Sequence, residues 1–271
     1  MTEISDSFEA LRVKDQGALV AYITVGDPQP KKTFRLVDAL IQGGADIVEL
    51  GIPFSDPIAD GPTIQRAMTR SLASGCRPID VIALAETIRQ GHSTPLVVMT
   101  SYNPIYRIGL PKFLHAARRA GISGMIVPDL PIEESEDYKN ECLASSVDTI
   151  FLATPSTSQD RLKQILNLTS GFLYLVSLYG VTGARKVLAK STLRMIHQYS
   201  DVVPESVPLA VGFGISKAAH VKQIMSAGAD GVIVGSAFVN IVEKNVTNLS
   251  RAERKLKSLA KTLKQATLRK N

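Results

Sequence analysis

Gly43-Gly-Ala-Asp-Ile-Val-Glu-Leu50 decides the fold of this chain, because its grammar occurs three times. Ala120-Gly-Ile-Ser-Gly-Met-Ile-Val127 and Ala227-Gly-Ala-Asp-Gly-Val-Ile-Val234 repeat it. Each has the end of a helical pattern, a glycine able to take the left-handed conformation that closes a helix, then an apolar strand. Working outward, short apolar runs predict strands near 18–24, 46–51, 96–100, 124–127, 149–153, 172–177, 209–212 and 231–234. Helical spacing falls between them at 31–42, 62–72, 79–89, 111–120, 132–144, 159–166, 187–199 and 217–227. The strands are continuous apolar runs rather than alternating ones, as expected of parallel strands buried on both faces. Eight strand–helix units in 271 residues fit an α/β chain folded as one (β/α)8 TIM barrel with additional helices, spanning 1–271 as a single domain. A doubly wound open sheet is the runner-up, but its first turn lacks the glycine fingerprint of dinucleotide sites.

Bulk composition narrows the classes. Hydrophobic residues are 45% and charged residues 21%, enough for a large core and too apolar for disorder. The two cysteines, Cys76 and Cys142, are far apart and in no metal spacing, which fits a reducing, cytoplasmic setting without disulfides or zinc. No secretory leader and no membrane span of about 18 apolar residues is visible. The net charge is +6, yet residues 251–271 hold eight Lys/Arg and one acid, so the rest of the chain is near neutral. Leu256, Leu259, Ala260 and Leu263 give this tail a helical stripe. Ser250 and Glu253 stand at the spacing of a capping box. The expectation is a basic amphipathic helix at 250–271, packed on the barrel with its lysines solvated. A basic arm for an acidic partner is the alternative. Without interleaved aromatics a nucleic-acid role is not expected.

In such barrels chemistry sits at the C-terminal strand ends. The second strand carries Glu49 inside an apolar run, followed by a loop stiffened by Pro53, Pro57 and Pro62 that holds Asp56 and Asp60. A buried carboxyl has its pKa raised toward the range useful for proton transfer. The competing interpretations are that Glu49 pairs with a base or points outward, and that Asp60 caps the helix beginning at Pro62. Ser177–Arg185, with Gly180 and Gly183, has the composition of a mobile lid. Gly212-Phe-Gly-Ile-Ser216 and Gly235-Ser236 follow strands seven and eight; glycine turns opening helices there are anion sites. All four histidines fall in or beside helical patterns, and no lysine lies in a strand. Neither a strand-end metal centre nor a Schiff-base lysine is expected. Carboxylate acid–base chemistry on a phosphorylated compound is what remains. Another barrel enzyme of phosphorylated metabolites, or a phosphate-binding barrel without catalysis, stays open at this point.

Val48-Glu-Leu-Gly-Ile-Pro-Phe-Ser-Asp-Pro-Ile-Ala-Asp-Gly-Pro-Thr-Ile-Gln65 resembles the signature of the tryptophan synthase α chain family. Tyr22–Pro28, Met99–Pro104, Val127–Pro131, Gly180–Ala184, Gly212–Ser216 and Val234–Ser236 agree in the same order. The resemblance implies a TIM barrel that cleaves indole-3-glycerol phosphate to indole and glyceraldehyde 3-phosphate. It implies Glu49 as the acid–base group at indole C3 and Asp60 as acceptor of the indole N–H. It places Tyr22 and Tyr174 in the pocket, Thr182 on the lid, and Gly183, Gly214, Gly235 and Ser236 around the phosphate, with Phe213 beside it. It implies no cofactor on this chain, pyridoxal phosphate only on a β chain partner, and an αββα complex in which indole passes to that partner. The segments 53–62 and 103–106 would face it. One departure stands out: Leu178-Tyr179 precede the lid motif where many bacterial members carry an arginine.

Overall fold

The computed structural model describes residues 2–57, 60–176, 190–212 and 214–269. The strands are β1 (Ala18–Thr24), β2 (Ile47–Gly51), β3 (Leu96–Met99), β4 (Ile122–Ile126), β5 (Asp148–Ile150), β6 (Leu152–Ala153), β7 (Leu173–Val176), β8 (Leu209–Gly212) and β9 (Gly231–Val234). All pair in parallel in the order β5-β4-β3-β2-β1-β9-β8-β7-β6. The two ends of that order, β5 and β6, are successive pieces of one strand interrupted at Phe151. One piece pairs with β4 and the other with β7. The sheet therefore closes on itself with eight staves, the TIM barrel expected from the eightfold pattern.

The helices are α1 (Glu3–Val13), α2 (Pro30–Gln42), α3 (Pro62–Ala73), α4 (Pro78–Arg89), α5 (Tyr102–Ile108), α6 (Leu110–Arg119), α7 (Glu136–Ala144), α8 (Gln159–Leu168), α9 (Lys190–Val202), α10 (Ala218–Ser226), α11 (Ser236–Glu243) and α12 (Leu249–Gln265). The threefold sequence echo has a clear conformational basis. Gly44, Gly121 and Gly228, its glycines after the helix ends, all have positive φ, at 98°, 79° and 98°, where a side chain is strained. Its aspartates are structural. The Asp46 carboxylate accepts the Leu19 N–H at 2.7 Å, and that of Asp230 accepts the Leu209 N–H at 2.9 Å. Each ties its own strand to a neighbour.

Strand side chains divide by parity. Leu19, Ala21 and Ile23, Val48 and Leu50, Val211, and Val232 and Val234 point outward into the layer beneath the helices. Val20, Ile47, Val97, Ile126, Ile150, Ala210 and Ile233 point inward and fill the barrel. Ile4, Phe8 and Leu11 of α1 join that inner cluster and plug the N-terminal end. Inward parity continues to Tyr22 and Glu49, register partners on β1 and β2.

Four expectations change. The pattern at 132–144 is a 3-10 turn at Ile132–Glu134 followed by α7, because the buried Ser135 turns its hydroxyl onto the Pro131 carbonyl at 2.7 Å. Helices α1, α5 and α11 were not anticipated. The C-terminal helix is not opened by a Ser250–Glu253 capping box. It begins at Leu249, with the Asn248 side chain accepting the Arg251 N–H at 3.0 Å. Glu253 instead holds Arg35 of α2, at 2.6 Å. Lastly, the basic tail is not uniformly solvated. Lys264 reaches Asp46 at 2.8 Å and Arg269 reaches Asp230 at 3.2 Å, so both stitch the tail to the barrel floor. Of the predicted stripe, Leu256, Ala260 and Leu263 are buried and Leu259 is partly buried, and Ala252 joins the same face of α12.

Candidate active site

Glu49 is the middle residue of β2 and only 1% exposed. Inward parity points it into the mouth of the barrel rather than toward a helix. No base pairs with it among the described residues, and its Oε2 has no hydrogen-bond partner. Burial, with the Asp60 charge adding to it, pushes its carboxyl up to about 8. An orphaned buried carboxyl is costly and marks a place where a ligand group is expected.

Asp60 closes the loop before α3. It does not cap that helix: the N-cap is Gly61, and no side chain accepts there. Its main chain is held instead. The Asp60 N–H donates to the Pro57 carbonyl at 3.1 Å, and Gln65 donates to the Asp60 carbonyl at 2.8 Å. Burial raises the Asp60 carboxyl to about 6. The two acids are thereby separated: near neutral pH Glu49 carries its proton and Asp60 is charged. A pair of carboxyls driven apart in this way divides acid from base.

Two tyrosines line the same space. Tyr22 is buried against Glu49 and makes a 3.1 Å hydroxyl contact with Thr24. Tyr174 is the second residue of β7. Burial raises both phenols well above their ordinary value, with Glu49 and Asp60 adding to the effect, so both remain neutral hydroxyls. Room for the rings comes from Gly51 and Gly212, which sequence reasoning did not single out for this. A Cβ at Gly51 would strike the Tyr22 hydroxyl. One at Gly212 would come within 2.7 Å of the Tyr174 ring. The signal is present only as glycine at a strand end.

Next to Tyr22, at the end of β9 beside β1, α11 starts at Ser236 with Gly235 as its N-cap and no capping side chain. Among the described residues its first N–H groups, at Ser236 and Ala237, have no partner and are open to an anion. Gly214 sits at φ 61° with open space where a Cβ would stand. No helix opens at Gly214 itself: α10 follows the Lys217 N-cap, in line with the helix expected at 217–227. Phe213, Thr182, Gly183 and the lid stretch with Leu178-Tyr179 lie outside the described residues. Among the described residues no cluster of three His, Cys, Asp or Glu is placed to hold a metal ion, and no helix is long and apolar enough to cross a membrane.

A buried acid facing a charged acid, two aromatic walls and a helix N-terminus at the end of the last strand form one set at the C-terminal rim of the barrel. The family profile described as tryptophan synthase alpha chain matches residues 8–268. The chain belongs to the tryptophan synthase alpha chain family. It is 48% identical over 265 residues to the tryptophan synthase alpha chain of Methanosarcina barkeri, covering 98% of each chain. It is 40% identical to that of Arabidopsis thaliana, covering 97% of this chain and 94% of the relative. The crystal structure of tryptophan synthase subunit alpha from Legionella pneumophila superposes with a TM-score of 0.90 at 34% identity, over 98% of both chains. The similarity thus takes in every strand of the barrel and the rim on which Glu49, Asp60 and Gly235 stand.

Proposed function

We propose that this chain cleaves indole-3-glycerol phosphate by a retro-aldol step to indole and glyceraldehyde 3-phosphate. Protonated Glu49 delivers its proton to indole C3. Charged Asp60 accepts the indole N–H and stabilises the positive charge that develops on the ring. The Glu49 carboxylate left behind then takes the proton of the side-chain hydroxyl adjacent to C3. The carbonyl forms, the C–C bond breaks, and its electrons restore the aromatic ring. Protonated indole is itself the electron sink, so the chain's own residues suffice. Tyr22 and Tyr174 form the walls of the indole pocket, and the N–H groups at Gly235-Ser236 and Gly214 receive the phosphate. Thr182, Gly183 and Phe213 complete this set in the family resemblance.

The observation that carries this reading is the buried Glu49, with no partner for its Oε2 among the described residues, held up at about 8 beside Asp60 held at about 6. Indole release from indole-3-glycerol phosphate by the purified chain tests it. Release that saturates with substrate is expected; none, with and without a β chain, would contradict it.

The phosphate assignment has its own test. A Cβ at Gly235 would meet Tyr22 and Ile64 at 3.3 and 3.4 Å, so those two side chains need give only slightly. Gly235→Ala is therefore expected to keep binding of glycerol 3-phosphate within about threefold. Gly235→Asp places a negative charge at the helix N-terminus, where the phosphate itself would sit, and is expected to weaken binding by about 10²-fold. Calorimetric titration showing equal affinity in the two variants would remove the phosphate from this end of the barrel.

The partner is proposed to be a pyridoxal-phosphate β chain that receives indole, in an αββα complex in the reducing cytoplasm, with no cofactor on this chain. Its docking surface is the rim formed by the loop at 53–57 and by α5. Ser55 and Asp56 are exposed there. Tyr106 is 72% exposed beside a groove of about 530 Å³ lined by Tyr102, Leu110 and Glu141. An exposed aromatic beside a groove is the composition of a binding surface.

A further inference from the structure

Helix α3 stands between the two halves of the proposed site. Asp60 lies immediately before its first turn, and Gln65 of that turn donates to the carbonyls of Asp60 and Pro57, at 2.8 and 3.3 Å. Whatever orients α3 therefore orients the loop that carries Asp60. One side of the helix packs Ile64, Ala67 and Met68 against Tyr22 and against Val239 of α11. Apolar contact of this kind is non-directional and leaves the helix free to roll by small amounts.

The other side is pinned. Arg70 grips the buried Asp27, in the loop after β1, through two parallel hydrogen bonds of 2.8 Å. Its remaining Nη1 donates to Glu243 at 2.8 Å. Arg66, one turn earlier, donates to both oxygens of the same Glu243 at 2.7 and 2.9 Å. Glu243 is the last residue of α11, the helix whose other end carries Gly235-Ser236. Paired guanidinium–carboxylate forks fix direction as well as distance. They hold the Glu243 carboxyl down at about 2, so it stays charged throughout the working range. Burial disfavours the Asp27 charge and the Arg70 fork counters that.

We propose that Arg70 and Glu243 are positioning residues: the Arg70–Asp27 and Arg66–Glu243 forks, joined by the single Arg70–Glu243 hydrogen bond, set the roll of α3 and so place the Asp60 carboxylate relative to the phosphate-binding end of α11. This rests on the assignment of Asp60 and of the α11 N-terminus given above. Glu243→Gln keeps the shape of the side chain but turns an amide donor toward two arginines. Arg70→Lys keeps the charge and loses the fork.

The test is steady-state indole release by the full-length chain, with each variant assayed well below its own melting temperature. Both substitutions are expected to lower kcat about tenfold with KM changed less than about twofold, because a small misplacement costs turnover rather than binding. Added to Asp60→Asn, Glu243→Gln is expected to cost nothing further, since it acts through the missing carboxylate. Wild-type kcat in Glu243→Gln and Arg70→Lys, or the same tenfold loss repeated in the Asp60→Asn background, would overturn the proposal. Glu49→Gln run in parallel separates the two levels: activity surviving there would count against the reaction assignment, whereas the Glu243 comparison speaks to the clamp.

Discussion

Glu49→Gln is expected to lower indole release by at least about 10³-fold while leaving substrate affinity nearly unchanged. The substitution keeps the volume and shape of the side chain and removes only its proton chemistry. Among the described residues little else at the rim supplies it: the strands carry no lysine or histidine, Asp60 is charged near neutral pH, and the two tyrosines are held as neutral phenols. The same variant makes a prediction of opposite sign for stability. Burial raises the Glu49 carboxyl in the native state from its ordinary 4.5 to about 8. The stability this group contributes is complete below the ordinary value and lost as pH rises through about 8. Glutamine has no proton to lose. The variant's unfolding free energy should therefore gain on the wild type between about pH 4.5 and 8, by an amount on the order of a few kcal/mol, read as a rising relative melting temperature. A variant that is inactive, folded and more resistant to alkali is the expected combination. Thermal unfolding across pH, run beside the kinetics, checks it; a variant less stable than wild type at high pH would mean that Glu49 is paired in the native protein.

Asp60→Asn is expected to lower kcat by about 10²-fold or more, with KM changed by less than about threefold. Asparagine can still offer a carbonyl to the indole N–H, so ground-state binding survives. What it cannot offer is a negative charge where positive charge develops once C3 is protonated. The loss thus falls on the transition state. An increase in KM at constant kcat would reassign Asp60 to plain substrate binding.

How much of this is legible in the sequence depends on the kind of contact involved. The barrel follows from local signals. Continuous apolar strands, and glycines at 44, 121 and 228 that must end a helix, announce themselves within a few residues. Glu49 is conspicuous because a charged residue in such a strand has no ordinary reason to be there. Helix α1 also left a trace, since Ile4, Phe8 and Leu11 share one face; what the spacing does not say is that this face plugs a barrel. Helix α11 is hidden by brevity, and α5 by brevity together with Pro104 inside it. The clearance that Gly51 and Gly212 give to two tyrosine rings belongs to the closed barrel, because Gly212 and Tyr174 meet only when β7 and β8 pair. The clamp is the least legible feature. Arg70 and Glu243 are 173 positions apart, and each taken alone looks like a solvated charge on a helix surface.

The central claim is that one protonated and one charged carboxyl work together at this rim. The pH dependence of kcat/KM for indole release, wild type against Asp60→Asn, tests it most directly. The wild type should give a bell, its acid limb near 6 where Asp60 gains a proton and its alkaline limb near 8 where Glu49 loses one. In Asp60→Asn the acid limb should vanish, and the alkaline limb should remain but move to lower pH, because the Asp60 charge no longer helps to raise Glu49. A wild-type profile flat from about pH 5 to about pH 9, or an acid limb that persists in Asp60→Asn, would contradict the account.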